Sequence, residues 1–193
     1  MLTNGGSEFT VTIKAKVYIT YSADDMHDGT YRYSVLLTKS GSFFMEVSYS
    51  AIIPIKASPV SCICYPASLP DPSTTIVSGA ALRGCTVNTL STFIIEVRDI
   101  FSNRMSTSDQ TFNVYLVLQN FIPGQTLPPL VVKNSMPGLY LSSFQATAAG
   151  SYFLEISLEV GTFPNSEYLS ILNSPFNVSI FADSASSLQS YSF

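Results

Sequence analysis

Tryptophan is missing from this chain of 193 residues, and histidine occurs once, at His27. A lone histidine in an acidic turn, with no nucleophile beside it, cannot supply a Ser-His-Asp or Cys-His arrangement. No glycine-rich phosphate loop is present either, so the composition argues against an enzyme and calls for no cofactor. Charge is also scarce. Asp, Glu, Lys and Arg make 11% of the chain, less than half of the ~25% common in soluble domains. A net charge of −4 with 9 thinly spread basic residues gives no electrostatic footprint for nucleic acid. Lys14 and Lys16, the one close basic pair, fall on one face of a strand. No apolar run reaches the ~20 residues of a membrane helix, so direct membrane insertion is not expected. The segment 1–9 lacks the apolar stretch of a signal peptide.

Cysteine is scarce and odd in number: Cys62, Cys64 and Cys85. Cys62 and Cys64 lie two apart on one predicted strand and share a face, so a bond between them would be strained. A disulfide from either one to Cys85 would leave one thiol over and needs an oxidising compartment. Three structural thiols are the alternative. The spacing lacks the paired ligands of a zinc site. Asp24, Asp25 and Asp28 offer three local carboxylates around His27, fewer than the 6–8 oxygens calcium takes, so the turn reads as a solvated hairpin and no metal is expected.

What the chain has in abundance is hydroxyl. Serine and threonine make about a quarter of it, while apolar residues make 46%. A hydroxyl-rich, charge-poor surface suits a β-sheet protein outside the cell, where attached glycans add solubility. Asn177-Val178-Ser179 is a glycosylation triplet, and alternation turns Asn177 outward between Phe176 and Val178.

Strand signals are dense and helix signals nearly absent. Phe9, Val11 and Ile13 alternate, as do Tyr31 to Leu37, Phe43 to Tyr49, and Val60, Cys62 and Cys64. Later come Phe93 to Val97, Phe112 to Leu118, Tyr152 to Val160, and Phe176, Val178 and Ile180. Each run predicts a strand with one buried face. The pattern is stated twice. Gly29-Thr30-Tyr31, Gly41-Ser42-Phe43 and Ser58-Pro59-Val60 recur as Gly138-Leu139-Tyr140, Gly150-Ser151-Tyr152 and Ser174-Pro175-Phe176. The first two elements share one offset of roughly 110 residues, and the third is wider by about seven, an insertion in a late loop. Gly29 and Gly138 sit where tight turns need a positive φ. Tyr31 and Tyr140 then enter the core. Pro59 and Pro175 stand at strand starts, where a missing amide donor costs least.

Two all-β, immunoglobulin-like sandwiches in tandem are therefore expected. The boundaries fall at an incomplete repeat over 1–66, a proline-rich linker over 67–73 and a full repeat over 74–182. A serine-rich tail, or the start of a further strand, covers 183–193. Prolines 66, 70 and 72 predict a stiff extended linker. The first repeat reads as incomplete because only eight residues precede Phe9, whereas about forty lie between the linker and Phe112. Its first two strands are wanting, and another segment must cover Tyr31, Val35, Phe43 and Val47.

These residues resemble the filamin-type immunoglobulin repeat over roughly residues 7 to 182. Asp25-Met26-His27-Asp28-Gly29-Thr30-Tyr31 matches that family's turn-and-strand signature. Gly41-Ser42-Phe43 and Gly150-Ser151-Tyr152 match its Gly-x-Tyr, and Ser174-Pro175-Phe176 its Ser-Pro-Phe. Phe93-x-Ile95-x-Val97-x-Asp99 with Ser102-Asn103 is similar to its second strand and the following turn. The resemblance implies strand addition of a partner at the edge of the third and fourth strands, residues 8–21 or 110–134 here. The expected partners are other copies of the chain or neighbouring Ig-like repeats. The expected role is a non-catalytic structural or adhesive one at the cell surface or outside, as an array or fibre subunit. The alternatives are an intracellular filamin-like scaffold and the ectodomain of an adhesion receptor.

Overall fold

The computed structural model describes residues 6–14, 18–119, 129–161 and 164–183. The chain divides into two units, Met1–Tyr65 and Pro66–Phe193, called unit 1 and unit 2 below. Most of the serine-rich tail lies outside the described residues.

Alternation of apolar and polar residues makes nearly every element a strand. Unit 1 holds β1 (Phe9–Lys14), β2 (Tyr18–Ser22), β3 (Asp24–Asp25), β4 (Tyr31–Arg32), β5 (Gly41–Tyr49), β6 (Ile53–Pro54) and β7 (Val60–Cys64). Its main sheet runs β2-β1-β5-β6, with β7 also on β5, and β3 pairs with β4 apart from it.

Unit 2 begins with β8 (Ile76–Ser78), a single 3-10 turn at Ala80–Arg83 and β9 (Cys85–Thr86). Then follow β10 (Ser91–Glu96), β11 (Phe112–Leu118), β12 (Val132–Met136), β13 (Leu139–Phe144), β14 (Gly150–Val160), β15 (Glu167–Ser170) and β16 (Phe176–Phe181). One sheet is β12-β13-β10-β8; the other is β11-β14-β16-β9, with β15 also on β14. Phe93, Ile95 and Val97 from the first sheet meet Val114, Leu154, Ile156, Leu158 and Val178 from the second in one buried core. Two mainly antiparallel sheets closing over one core make unit 2 an immunoglobulin-like β-sandwich.

The two units share their frame down to single hydrogen bonds. The Ser7 amide donates to Tyr31 Oη at 3.1 Å, and the Gln110 amide donates to Tyr140 Oη at 3.0 Å. The Phe9 ring lies 4.5 Å from that of Tyr31, as Phe112 lies 4.8 Å from Tyr140. The Val47 amide donates to Ser58 Oγ at 2.9 Å, and the Ile156 amide to Ser174 Oγ at 2.9 Å. Ser58-Pro59 and Ser174-Pro175 are both cis. The turn glycines Gly29 and Gly138 have φ of 87° and 69°. A Cβ on Gly138 would come within 2.5 Å of the Met105 carbonyl oxygen, so this turn excludes every other residue on space as well as on φ.

Phe176 opens β16 half-buried against the core of unit 2, while Val178 and Ile180 are buried outright. Asn177 and Ser179 face solvent. Because Phe176 keeps part of its surface in water, Phe176→Ala should destabilise unit 2 by about 2–3 kcal/mol, below the range for a fully buried ring. Urea unfolding of the variant checks this, and a loss of only a few tenths would contradict the facing.

Candidate interaction surfaces

The repeat makes each unit a reference for the other. β12 and β13 of unit 2 correspond to β3 and β4 of unit 1: Lys133 pairs with Leu141 and Asn134 with Tyr140, as Asp24 pairs with Arg32 and Asp25 with Tyr31. On its other side β13 is paired over its full length by β10, from Ser91–Phe144 to Glu96–Leu139. Unit 1 has no counterpart of β10 or β8 among the described residues, and the stretch after β4, Tyr33–Leu37, joins no ladder.

Burial follows from that difference. Val11, Ile13 and Phe43 are buried, as are their equivalents Val114, Leu116 and Tyr152. The side chains that would face a β10 fare otherwise. Leu158 is 0% exposed and its equivalent Tyr49 42%; Ile171 is 3% exposed and its equivalent Ile55 39%. Tyr31, Val35, Met45 and Val47 are only half-buried, where Tyr140, Phe144, Leu154 and Ile156 are enclosed. The phenol oxygen of Tyr33 is buried with no hydrogen-bond partner. Burial, with Tyr21 and Cys62 nearby, pushes the Tyr33 hydroxyl above the ordinary tyrosine pKa.

The edge expected over residues 8–21 is built of β1 and β2. β2 pairs with β1 from Thr10–Ser22 to Lys14–Tyr18. This pairing satisfies the outer side of β1 and leaves β2 as the end strand of the sheet. In unit 2 the Leu130 amide donates to the Val114 carbonyl at 2.7 Å, and residues 120–128 of the expected edge over 110–134 lie outside the described residues.

A second site is Asp99, fully enclosed in unit 2. Its Oδ1 accepts from the amides of Phe101 at 2.9 Å and Asn103 at 2.8 Å. Its Oδ2 accepts from the Ala67 amide at 2.7 Å and from Asn103 Nδ2 at 3.0 Å. Burial pushes this carboxyl up, and the donors from the Asn103 side chain and from the backbone of Ala67, Asn103 and Phe101 outweigh it, holding the pKa below the usual aspartate value. The folded-state value being depressed, the ionised carboxylate stabilises unit 2 above the unfolded value of about 4, and this contribution is lost as pH falls through the folded value. The stability of unit 2 should therefore drop on acidification from about pH 5 downward more steeply than that of Asp99→Asn. Equal pH slopes in denaturant titrations would refute this.

Asp99 also corrects the reading of the proline-rich segment as an extended linker. Besides Ala67, the Asp71 amide donates to the Arg98 carbonyl at 2.7 Å, and Pro72 accepts from the Leu172 amide at 2.9 Å. Thr74 Oγ1 donates to the Asp99 carbonyl at 2.8 Å. A buried carboxylate requires donors, and this segment supplies one, so it is stitched into unit 2.

In the acidic turn the carboxylates serve the backbone. Asp25 accepts from the amides of His27 at 2.8 Å and Gly6 at 2.5 Å, and Asp28 from the Thr30 amide at 2.9 Å. The hydrogen bonds from His27 and Gly6 lower the Asp25 pKa, and those from the Thr30 hydroxyl and amide lower that of Asp28. Among the described residues no group of three or more His, Cys, Asp or Glu is placed to hold a metal, and no helix is long and apolar enough to cross a membrane. Cys62, Cys64 and Cys85 are free, half-buried thiols. Cys62 Sγ donates to the Phe43 carbonyl at 3.6 Å, and Cys85 packs against the core of unit 2. Asn177 is exposed, its Oδ1 accepting from Gln119 Nε2 at 3.0 Å.

No family model and no curated protein matches the chain. Among solved structures it is similar to the Lin-41 filamin domain, at 19% identity over 58% of this chain and 97% of that one, with a TM-score of 0.45. It is also similar to the Escherichia coli adhesin FdeC, at 12% identity over 91% of this chain and 54% of that one, TM-score 0.44. Yersinia pseudotuberculosis InvD follows at 13% identity over 94% and 49%, TM-score 0.43. The chain thus spans about half the length of the last two and nearly all of the filamin domain. Likenesses this distant add nothing to what the strand pairing establishes about the fold.

Proposed function

We propose that this chain is a non-catalytic structural or adhesive protein of the cell exterior, an array of Ig-like sandwiches that engages neighbouring repeats through sheet edges. The observation that carries the reading is the contrast between two copies of one frame, one closed over its core and the other, among the described residues, unpaired along Tyr33–Leu37. An open edge above half-buried aromatic and aliphatic side chains is a surface for protein contact. The low charge, the hydroxyl-rich surface and the exposed Asn177 support a place outside the cell. Mass spectrometry of the native protein tests this: glycan on Asn177, or a disulfide among the three cysteines, is expected. A sugar-free chain with three free thiols would overturn the exterior location. The intracellular scaffold is the second reading, favoured by the thiols of Cys62, Cys64 and Cys85 being unpaired in the fold.

A further inference from the structure

We propose that unit 2 stacks on a second copy of this chain, sheet face against sheet face. An acidic, tyrosine-bearing patch on one sheet meets a lysine-bearing aliphatic patch on the other sheet of the next copy. The inference goes beyond contact at sheet edges, and it rests on the reading of the chain as a structural module that associates with its own kind.

The acidic patch lies on the outer face of the second sheet. Leu154, Ile156 and Leu158 are buried, so alternation turns Glu155, Ser157 and Glu159 of β14 outward. Register sets Tyr115 of β11 opposite Glu155 and the exposed Tyr168 of β15 opposite Glu159. Partial burial, the Glu159 carboxylate and the nearby Tyr115 hold the Tyr168 hydroxyl above the ordinary tyrosine pKa. No basic residue lies on this sheet. Those of unit 2 are Arg83 in the 3-10 turn, Arg98 and Arg104 in the segment after β10, and Lys133 on β12.

The basic patch is on the opposite face of the same sandwich. Phe93 and Ile95 point into the core, so Ile94 points out. Lys133, Leu141 and Ile94 form one row straight across β12, β13 and β10. Ile94 and Leu141 are 42% and 40% exposed, and Lys133 is exposed beside them. Arg98 is matched by Glu96 at 2.8 Å, whereas among the described residues no ion pair engages Lys133, Glu155 or Glu159. One face thus offers unmatched carboxylates beside tyrosine rings, and the other an unmatched ammonium beside aliphatic side chains. The two are complementary in charge, and each carries apolar surface to exclude water from the contact.

Because the patches lie on opposite faces, the contact is heterologous, and copies add in an open row. Asn177, opposite Phe153, stands about 20 Å along β14 from Glu159 at the rise of an extended strand. A glycan there leaves the Glu159–Tyr168 end of the face clear.

Sedimentation velocity of the full chain over a range of concentrations tests this. The parent should associate at low ionic strength and dissociate as salt is raised to about 0.5 M. E155K/E159K reverses one patch and K133E the other, and each variant alone should raise the apparent dissociation constant at least about tenfold. An equimolar mixture of the two should recover association, because the intact acidic face of K133E meets the intact Lys133 face of E155K/E159K. Recovery also shows that both variants are folded. A parent that is monomeric at every concentration, variants that associate as the parent does, or a mixture no better than its components overturns the proposal. Undiminished association of both variants would leave contact at sheet edges standing. Recovery in the mixture, from a chain found sugar-free and thiol-bearing, would keep this contact and remove the exterior location.

Discussion

Asp99→Ala should destabilise unit 2 by about 3–5 kcal/mol, measured as a shift of its denaturation midpoint at neutral pH. The carboxylate is fully enclosed and accepts from three backbone amides, those of Ala67, Phe101 and Asn103. Alanine leaves these donors without an acceptor in a site that water reaches poorly, and each buried unsatisfied donor costs about 1–3 kcal/mol. Asn103 Nδ2 loses two acceptors, Oδ1 and Oδ2 of Asp99. Asp99→Asn should fall between the two, since its carbonyl oxygen satisfies some donors while its own amide group faces others. A variant within half a kcal/mol of the parent would mean that the segment from Ala67 to Thr75 can detach without consequence.

Phe93→Ala should cost unit 2 about 3–5 kcal/mol, the range for a buried aromatic truncated in a packed core. Phe93 is 1% exposed and its ring centre lies 6.4 Å from that of Phe144. The cavity would open at the centre of β10, where that strand meets the opposite sheet. Circular dichroism and urea titration should show the loss in the transition of unit 2 alone; an equal loss in both transitions would contradict the division at Tyr65–Pro66.

How much of this was legible beforehand depended on the kind of signal. Alternation with period two announced nearly every long strand, and the doubled Gly-x-Tyr and Ser-Pro elements announced the repeat, because steric needs at a turn or strand start admit few residues. The role of Asp99 was hidden. In the sequence Asp99 only closes a strand pattern before the turn at Ser102-Asn103, and its burial depends on the distant Ala67 amide folding over it. That same contact misled the reading of prolines 66, 70 and 72, since a stiff extended segment can lie along a domain as readily as lead away from it. The pairing of β2 with β1 was equally out of reach. A strand's own alternation gives a face and says nothing about which edge it will occupy.

One pairing in unit 2 bears on tension. β16 runs parallel to β9, with Ile180 beside Cys85 and Phe181 beside Thr86, and the Val87 amide donates to the Phe181 carbonyl at 2.9 Å. The two strands come from opposite ends of the unit's sequence and point the same way. Pulling the ends apart therefore drags β9 and β16 past each other, so their hydrogen bonds are sheared together instead of being peeled one by one. With only two residue pairs in the ladder this clamp is short. The segment Ala67–Pro72, tied to Asp99, Arg98 and Leu172, meets the load first, followed by the three-residue outer strand β8. A stretched unit 2 would thus yield in two stages, an early give at the Ala67–Pro72 segment and β8 and a sharper rupture when the parallel pair parts.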